Sequence, residues 1–212
     1  MIYRIDTYDL RPRAVPVVES AFEKEYDDIG VPKELLGSFH TEFGPLNQII
    51  QIWSFDRAGD ARELESLSLS SNMIERMGPH LVRIETEMLA PVRFSPELRE
   101  GSLGPYYELR TYFYPLDQRE KLESSWERAL PLRNALGSPV AGVWTSLSGA
   151  INSLTHLWPY RSLQEREDLR KKVRESGKWP PYKLDIEAGG TGYNLLSQSN
   201  KLMLPASFSR LQ

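Results

Sequence analysis

The chain opens on a strict alternation: Tyr3 and Ile5 alternate with Arg4, Asp6 and Tyr8. The pattern returns in the second half, where Tyr107 and Leu109 alternate with Glu108, Arg110 and Tyr112. A period of two marks a strand. After each of these strands the period changes. Val15, Val18 and Phe22, and likewise Leu122, Trp126, Ala129 and Leu130, recur at helical spacing and make one apolar face. Gly37 and Gly137 stand where a helix is expected to end, and Gly44-Pro45 is turn chemistry between two strands. The first half thus predicts strands near 1–10, 38–44, 47–55 and 82–90, with helices near 13–28 and 58–76. The second predicts strands near 105–114, 139–146, 151–158 and 193–204, with helices near 118–136 and 161–175. Residues 177–192, holding Pro180-Pro181 and Gly189-Gly190, are expected to be irregular.

The two halves match along their length. Ile2 through Tyr8 aligns with Tyr106 through Tyr112, and Leu36-Gly37-Ser38 with Leu136-Gly137-Ser138. Gly44, Asn47, Trp53 and Phe55 align with Gly149, Asn152, Trp158 and Tyr160, and Pro91, Phe94 and Ser95 with Pro205, Phe208 and Ser209. Separate matches in one order indicate internal duplication. The predicted fold class is α+β: two ferredoxin-like β-α-β-β-α-β repeats forming a dimeric α/β-barrel-type unit within one chain. The first repeat is placed at 1–96, a linker at 97–104 and the second repeat at 105–212. Helices cover one face of each four-stranded sheet, and the other face needs cover too. The opposite half supplies it, closing a barrel of about eight strands whose interior holds side chains or one small ligand. The apolar Tyr3/Ile5 face is expected to meet the helices and the polar Arg4/Asp6/Tyr8 face to line the barrel. Arg4 is then expected near Glu108, or Asp6 near Arg110, across the two halves.

Composition narrows the chemistry. With 26 basic against 29 acidic residues the net charge is −3, so no basic excess calls for nucleic acid. There is no cysteine, which removes disulfides, thiolate metal sites and cysteine nucleophiles. No apolar run reaches the roughly 18–20 residues that span a bilayer. The strand pattern at the very start leaves no signal or transit segment, so a soluble, cytoplasmic protein is expected.

These residues carry a family resemblance. The stretch Thr41-Glu42-Phe43-Gly44-Pro45-Leu46-Asn47 through Gln51-Ile52-Trp53 resembles the core motif of the NIPSNAP family, and Tyr107 through Tyr112 resembles its opening strand. Thr155-His156-Leu157-Trp158, Ser162 through Arg166 and the ending Pro205 through Ser209 are similar too. Two departures stand out: Gln51 replaces the motif's histidine in the first half, and Arg4 and Asp6 replace the Glu and Arg of the opening strand. The resemblance implies a dimeric α/β-barrel related in architecture to small cofactor-free monooxygenases. It implies no agreed activity.

The candidate site follows from the second half. Asn152, Leu154, His156 and Trp158 share one strand face, as do Asn47, Ile49, Gln51 and Trp53. If that face lines the barrel, His156 is a titratable group where Gln51 is not, suited to general acid–base work. Arg110 would hold a negative charge, with Asn152, Trp158 and Trp144 as neighbours. The alternative is that His156 only satisfies a buried hydrogen bond. No cofactor is expected, and a metal site from His40, Glu42 and His156 lacks any spacing signature. Gly189-Gly190-Thr191-Gly192 lacks the strand–helix context of a phosphate loop. The run Arg161 through Glu175 reads as a solvated helix face. Two functions stay open: a small-molecule site, enzymatic or not, inside the barrel, and a non-catalytic binding or assembly module. Self-association is expected in either case, from strand edges that two helices per half cannot cover.

Overall fold

The computed structural model describes residues 1–56 and 71–212. Its strands are β1 Ile2–Leu10, β2 Leu35–Phe43, β3 Gln48–Phe55, β4 Leu81–Pro91, β5 Tyr106–Phe113, β6 Gly142–Ser146, β7 Ser153–Tyr160 and β8 Ser197–Pro205. The helices are α1 Val15–Ile29, α2 Ser71–Met77, α3 Arg119–Ala135, α4 Leu163–Glu175 and α5 Tyr182–Glu187. Residues 58–70 of the expected helix 58–76 lie outside the described residues. Helix α1 ends at Gly30, whose N–H donates to Tyr26 O, and Gly37 belongs to β2 rather than to a helix end. The stretch expected to be irregular contains α5.

All eight strands form one closed barrel in the order β1-β3-β2-β8-β5-β7-β6-β4. It consists of two copies of one arrangement, β4-β1-β3-β2 and β8-β5-β7-β6. They are joined by the equivalent pairs β2–β8 and β4–β6, all antiparallel. The closing seams are short: β4 pairs with β6 only over Leu89–Pro91 and β8 with β2 only over Leu202–Pro205, so residues 81–87 of β4 and 197–201 of β8 have a strand partner on one side only.

The direction of the strand faces is the reverse of the expectation. Tyr3 and Ile5 of β1, Phe39 of β2, Ile50 and Ile52 of β3, and Leu89 of β4 pack together with Tyr107, Leu109, Trp144, Leu157 and Met203 from β5 to β8. A cluster that draws on every strand is the barrel interior. The polar face of each half looks outward, beneath its own helices. Tyr8, Trp53 and Phe55 pack with Val18 and Phe22 of α1, while Tyr112, Trp158 and Tyr160 pack with Leu122 and Trp126 of α3. Strands β1 and β5 stand opposite each other across the barrel, and their charged side chains point away from the lumen. Arg4 therefore bonds Asp6 of its own half at 2.9 Å, and Glu108 bonds Arg166 and Arg170 of α4.

The turn between β2 and β3 explains the Gly44–Asn47 motif. Gly44 has φ +105°, and a Cβ there would lie 2.7 Å from Asn200 O of β8. A side chain is excluded where β8 crosses the hairpin.

Candidate functional site

In the second half, β5 and β7 set the floor of the site. Register pairs Arg110 with His156 and Glu108 with Trp158, so all four side chains emerge on the helix side. Trp144 pairs with Thr155 instead, which points it into the barrel against Tyr3, at 5.2 Å between rings. It is not a neighbour of His156. Asn152 sits at the start of the hairpin strand, and its Nδ2 donates to Tyr114 O at 2.9 Å. Of the residues singled out from sequence, the fold brings together His156, Trp158 and Arg110. It does so outside the lumen, between sheet and helices.

His156 is fully buried and ringed by aromatics: Trp126 at 4.6 Å, Tyr112 at 4.7 Å and Trp158 at 5.7 Å between ring centres. Trp158 Nε1 donates to His156 Nδ1 at 2.5 Å, and His156 Nε2 makes no hydrogen bond. Burial, reinforced by the charges of Arg110 and Arg133, holds the imidazole well below its ordinary pKa. At neutral pH the ring is uncharged. His40 is elsewhere, its Nδ1 2.9 Å from Glu19 Oε1, a hydrogen bond that raises its pKa against burial. His40, Glu42 and His156 are not brought together.

Above this floor lies a cavity of about 540 Å³. Arg110 and Tyr112 of β5 line it from below, Arg133 of α3 and Arg170, Val173 and Arg174 of α4 from the sides. The segment from Trp179 to Leu195, including α5, roofs it with Trp179, Tyr182, Ile186 and Tyr193. Four arginines reach the lining and no carboxylate does.

Local interactions place each arginine. Helix α4 starts at Ser162, whose hydroxyl accepts from Glu165 N at 3.0 Å, while Glu165 reaches back to Arg161 N. From that start, Leu169 and Val173 turn inward. Arg166, Arg170 and Arg174 form an adjacent stripe at a spacing of four, one helical turn apart. Arg166 and Arg170 close onto the fully buried Glu108, at 2.6 and 3.2 Å, and Asn200 Nδ2 donates to it at 2.9 Å. Burial alone would raise the Glu108 pKa. The Arg166 hydrogen bond and the charge of Arg110 outweigh it and keep the carboxylate ionised.

Arg133 is only 3% exposed; its guanidinium lies 4.0 Å from the Trp158 ring and 4.8 Å from that of Trp179. Cation–π contact on two indoles offsets part of the cost of burying it. Burial pushes its pKa down to about 10, so it stays charged at neutral pH. One of its terminal nitrogens donates to Ser138 Oγ at 2.6 Å, yet Nε makes no hydrogen bond. Arg110 Nε is likewise buried and makes none.

The roof is pinned by Asp185. It accepts from Arg128 at 3.0 Å and from Gly192 N at 2.9 Å, and its own carbonyl accepts from Gly190 N. The glycine loop thus walls the cavity through Thr191 and Gly192, with two of its amides turned to Asp185. Arg133, the α4 arginines and the roof aromatics were missed from sequence. The Arg166/Arg170/Arg174 stripe is the one signal that could have found part of them.

Comparison with known proteins fits this architecture. The NIPSNAP family profile matches the chain twice, over residues 3–96 and 107–210. The chain belongs to the NIPSNAP family. Protein NipSnap homolog 1 of Danio rerio is 26% identical over 220 residues, spanning the whole of this chain and 77% of its own length. NipSnap homolog 2 of Danio rerio is 26% identical over 190 residues, which are 84% of this chain but only 65% of that NIPSNAP protein. The crystal structure of a proposed monooxygenase from Lactobacillus acidophilus superposes with a TM-score of 0.63, covering 97% of this chain and 94% of that one. At 17% identity that likeness is one of fold. Among the described residues, no helix of this NIPSNAP chain is long and apolar enough to cross a membrane.

Proposed function

We propose that the second half of this NIPSNAP protein is a receptor for a small anionic molecule, bound between sheet and helices rather than in the barrel interior. One observation carries the reading: four arginines and no carboxylate line the cavity, and the half-buried Arg110 and the buried Arg133 each hold a water-shielded Nε–H with no acceptor. A buried donor without a partner costs about 1–3 kcal/mol, and more for a charged group, so a ligand that supplies the acceptor recovers that cost on binding. The cavity volume lies within the range of small-molecule sites. In this reading Arg110 and Arg133 touch the ligand. Trp158 holds Arg133 in place by stacking, and His156, outside the cavity lining, packs behind Tyr112 without a part in binding. Asn152 keeps the hairpin closed. Trp144 has no part in the site.

The test is calorimetric titration with benzoate and phenyl phosphate, on the natural protein and on Arg110→Met. Binding that weakens roughly tenfold or more in the variant supports the reading, given the usual worth of a charge-assisted hydrogen bond. No binding of either probe, or equal binding by both proteins, ends it.

Self-association is a separate proposal. The one-sided stretches of β4 and β8 supply the edges for it, and a sedimentation run showing only monomer at micromolar concentration would dismiss it.

A further inference from the structure

We propose that the headgroup this cavity takes is a compact dianion, of phosphate-monoester or dicarboxylate type, joined to a flat apolar body. The inference rests on the anion-receptor reading and adds the charge and shape of the ligand.

The charge follows from a count of cations against the acceptors already beside them. Glu108 is the carboxylate beneath the floor, and its oxygens already receive Arg166, Arg170 and Asn200. Asp185, beside the roof, is taken by Arg128 and Gly192 N. Neither hydrogen-bonds Arg110 or Arg133, whose Nε atoms are shielded from water and make no hydrogen bond; the Glu108 charge reaches Arg110 but is shared with Arg166 and Arg170. Two guanidiniums thus face one half-open cavity, with Arg174 also in its lining. Charges removed from water need opposite charges close by. A monoanion would neutralise one of the two; a dianion matches both. The planar fork of arginine suits the oxygens of carboxylate and phosphoryl groups, which is how two forks can share one headgroup.

The shape follows from the remaining walls. Trp179, Tyr182, Ile186 and Tyr193 line the roof, offering three aromatic rings, an aliphatic side chain and no further cation. A headgroup at the arginines leaves its substituent against these rings, and a flat apolar one fits that space.

Phenyl phosphate and phenyl sulfate separate charge from shape. Both carry the same ring and a tetrahedral headgroup, but only the phosphate loses a second proton, near pH 6. The titratable and charged groups lining the cavity are Arg110 and Tyr112 on the strand side, Arg133 on α3, Arg170 and Arg174 on α4, and Tyr182 and Tyr193 in the roof, with Glu108 beneath the floor and Asp185 beside the roof. Any titration among them acts on both probes alike, so the ratio of the two affinities isolates the ligand's own charge.

With the full chain at about pH 7.5, phenyl phosphate should bind roughly tenfold or more tightly than phenyl sulfate, and at about pH 5 the two should fall within about threefold. Phthalate against benzoate repeats the contrast with carboxylates and tells the two kinds of dianion apart. Arg110→Met, at a half-buried position, should weaken both probes and weaken phosphate the more, removing most of the preference; Arg133→Met should do the same if it folds. Equal affinities for phosphate and sulfate at about pH 7.5, with clear binding of both, would overturn the dianion and leave the anion receptor standing. Absence of binding by all four probes would overturn both.

Discussion

The two halves place equivalent strands side by side and then use the same face differently. In the first, Asp6 is paired across β1–β3 with Gln51; in the second, Arg110 is paired with His156. Asp6 is buried and bonded to Arg4 at 2.9 Å and to Thr86 Oγ1 at 2.8 Å. Arg4 lies over the Trp53 and Phe55 rings, and Tyr8 OH donates to Gln51 Oε1. The first half therefore pairs its charges within its own strands, although Gln51 Nε2 and Trp53 Nε1 are buried without a hydrogen bond. The second half has the charge order reversed, so its carboxylate, Glu108, reaches up to α4, and its arginine opens on a cavity. A segment between α4 and β8, longer than the α2–β4 connection, supplies the roof. The lesson is that duplication preserved the sheet and freed one copy of its outer face. Closure of that face by ion pairing makes a core; diversion of the carboxylate to a helix leaves cations for a ligand.

Arg4→Met should have the largest effect on stability. It strands the Asp6 carboxylate in a closed, water-free layer, and breaking such a pair costs about 3–5 kcal/mol. Chemical denaturation reads it directly. The double variant Arg4→Met/Asp6→Leu should recover most of the loss, since removing both charges spares the desolvation cost. If the double variant is as unstable as the single one, the first half is not held by a self-contained pair.

Glu108→Gln should cost less, about 1–3 kcal/mol, although Glu108 is as buried as Arg4. Its partners Arg166 and Arg170 keep 25% and 32% of their side-chain surface exposed and can turn to water. A cost equal to that of Arg4→Met would erase the contrast between a closed and an open face.

The hairpins give a finer contrast. Gly44 and Gly149 are equivalent, and both have positive φ, +105° and +76°. Alanine at Gly149 meets nothing within 4 Å, so only backbone strain of about 1 kcal/mol is expected there. Alanine at Gly44 adds a collision with Asn200 O of β8, and about 2–3 kcal/mol is expected. Thermal melts of the two variants should rank in that order. The reverse ranking would mean that the β2–β8 seam is looser than its β6–β4 counterpart.

Much of this organisation can be read from the sequence, because duplication and period-two patterning are local signals. Strands, helices and the shared face of His156 and Trp158 all follow from spacing. The direction of that face does not. Both faces of β1 and β5 are buried, and a strand buried on both sides offers no exposed set to mark the outside. The apolar Tyr3/Ile5 row is as suited to a barrel interior as to a helix layer. What decides it is the existence of partners: the inward rows pack an apolar cluster drawn from all eight strands, with Glu87, Thr111, Thr155 and Lys201 further along the same face, while Glu108 has cations on α4 and Arg4 has its own aspartate. The cavity was hidden for a related reason. An arginine stripe in a highly charged helix looks solvated until a buried carboxylate is known to sit beneath it, and Trp179, Tyr182 and Tyr193 fall in a stretch with no periodicity at all.

The smallest effect, and the one that bears most directly on the site, is His156→Gln, which gives the second half the residue of the first. At neutral pH little should change, because His156 is already uncharged there and glutamine can accept from Trp158 Nε1 as the imidazole does. Acid should separate the two proteins. The folded state holds His156 well below the unfolded value near 6.5, so between those two pKa values the unfolded chain binds the extra proton. The contribution is fully present above about pH 6.5 and is lost as pH falls towards the depressed folded value. His40 has the opposite sign, since Glu19 raises its pKa: it stabilises below the unfolded value and is lost as pH rises through the folded one. The natural protein shows the sum of these two and of its shifted carboxylates, Glu87 and Glu108 among them, and only the difference from His156→Gln isolates the buried ring. That difference should be near zero at about pH 7.5 and should grow as pH falls below about 6.5, with the variant the more acid-resistant. Phenyl phosphate affinity at neutral pH should be the same for both proteins. A large loss of affinity in the variant would show that His156 touches the ligand. A difference in stability that does not depend on pH would show that its ring matters by shape and not by staying uncharged.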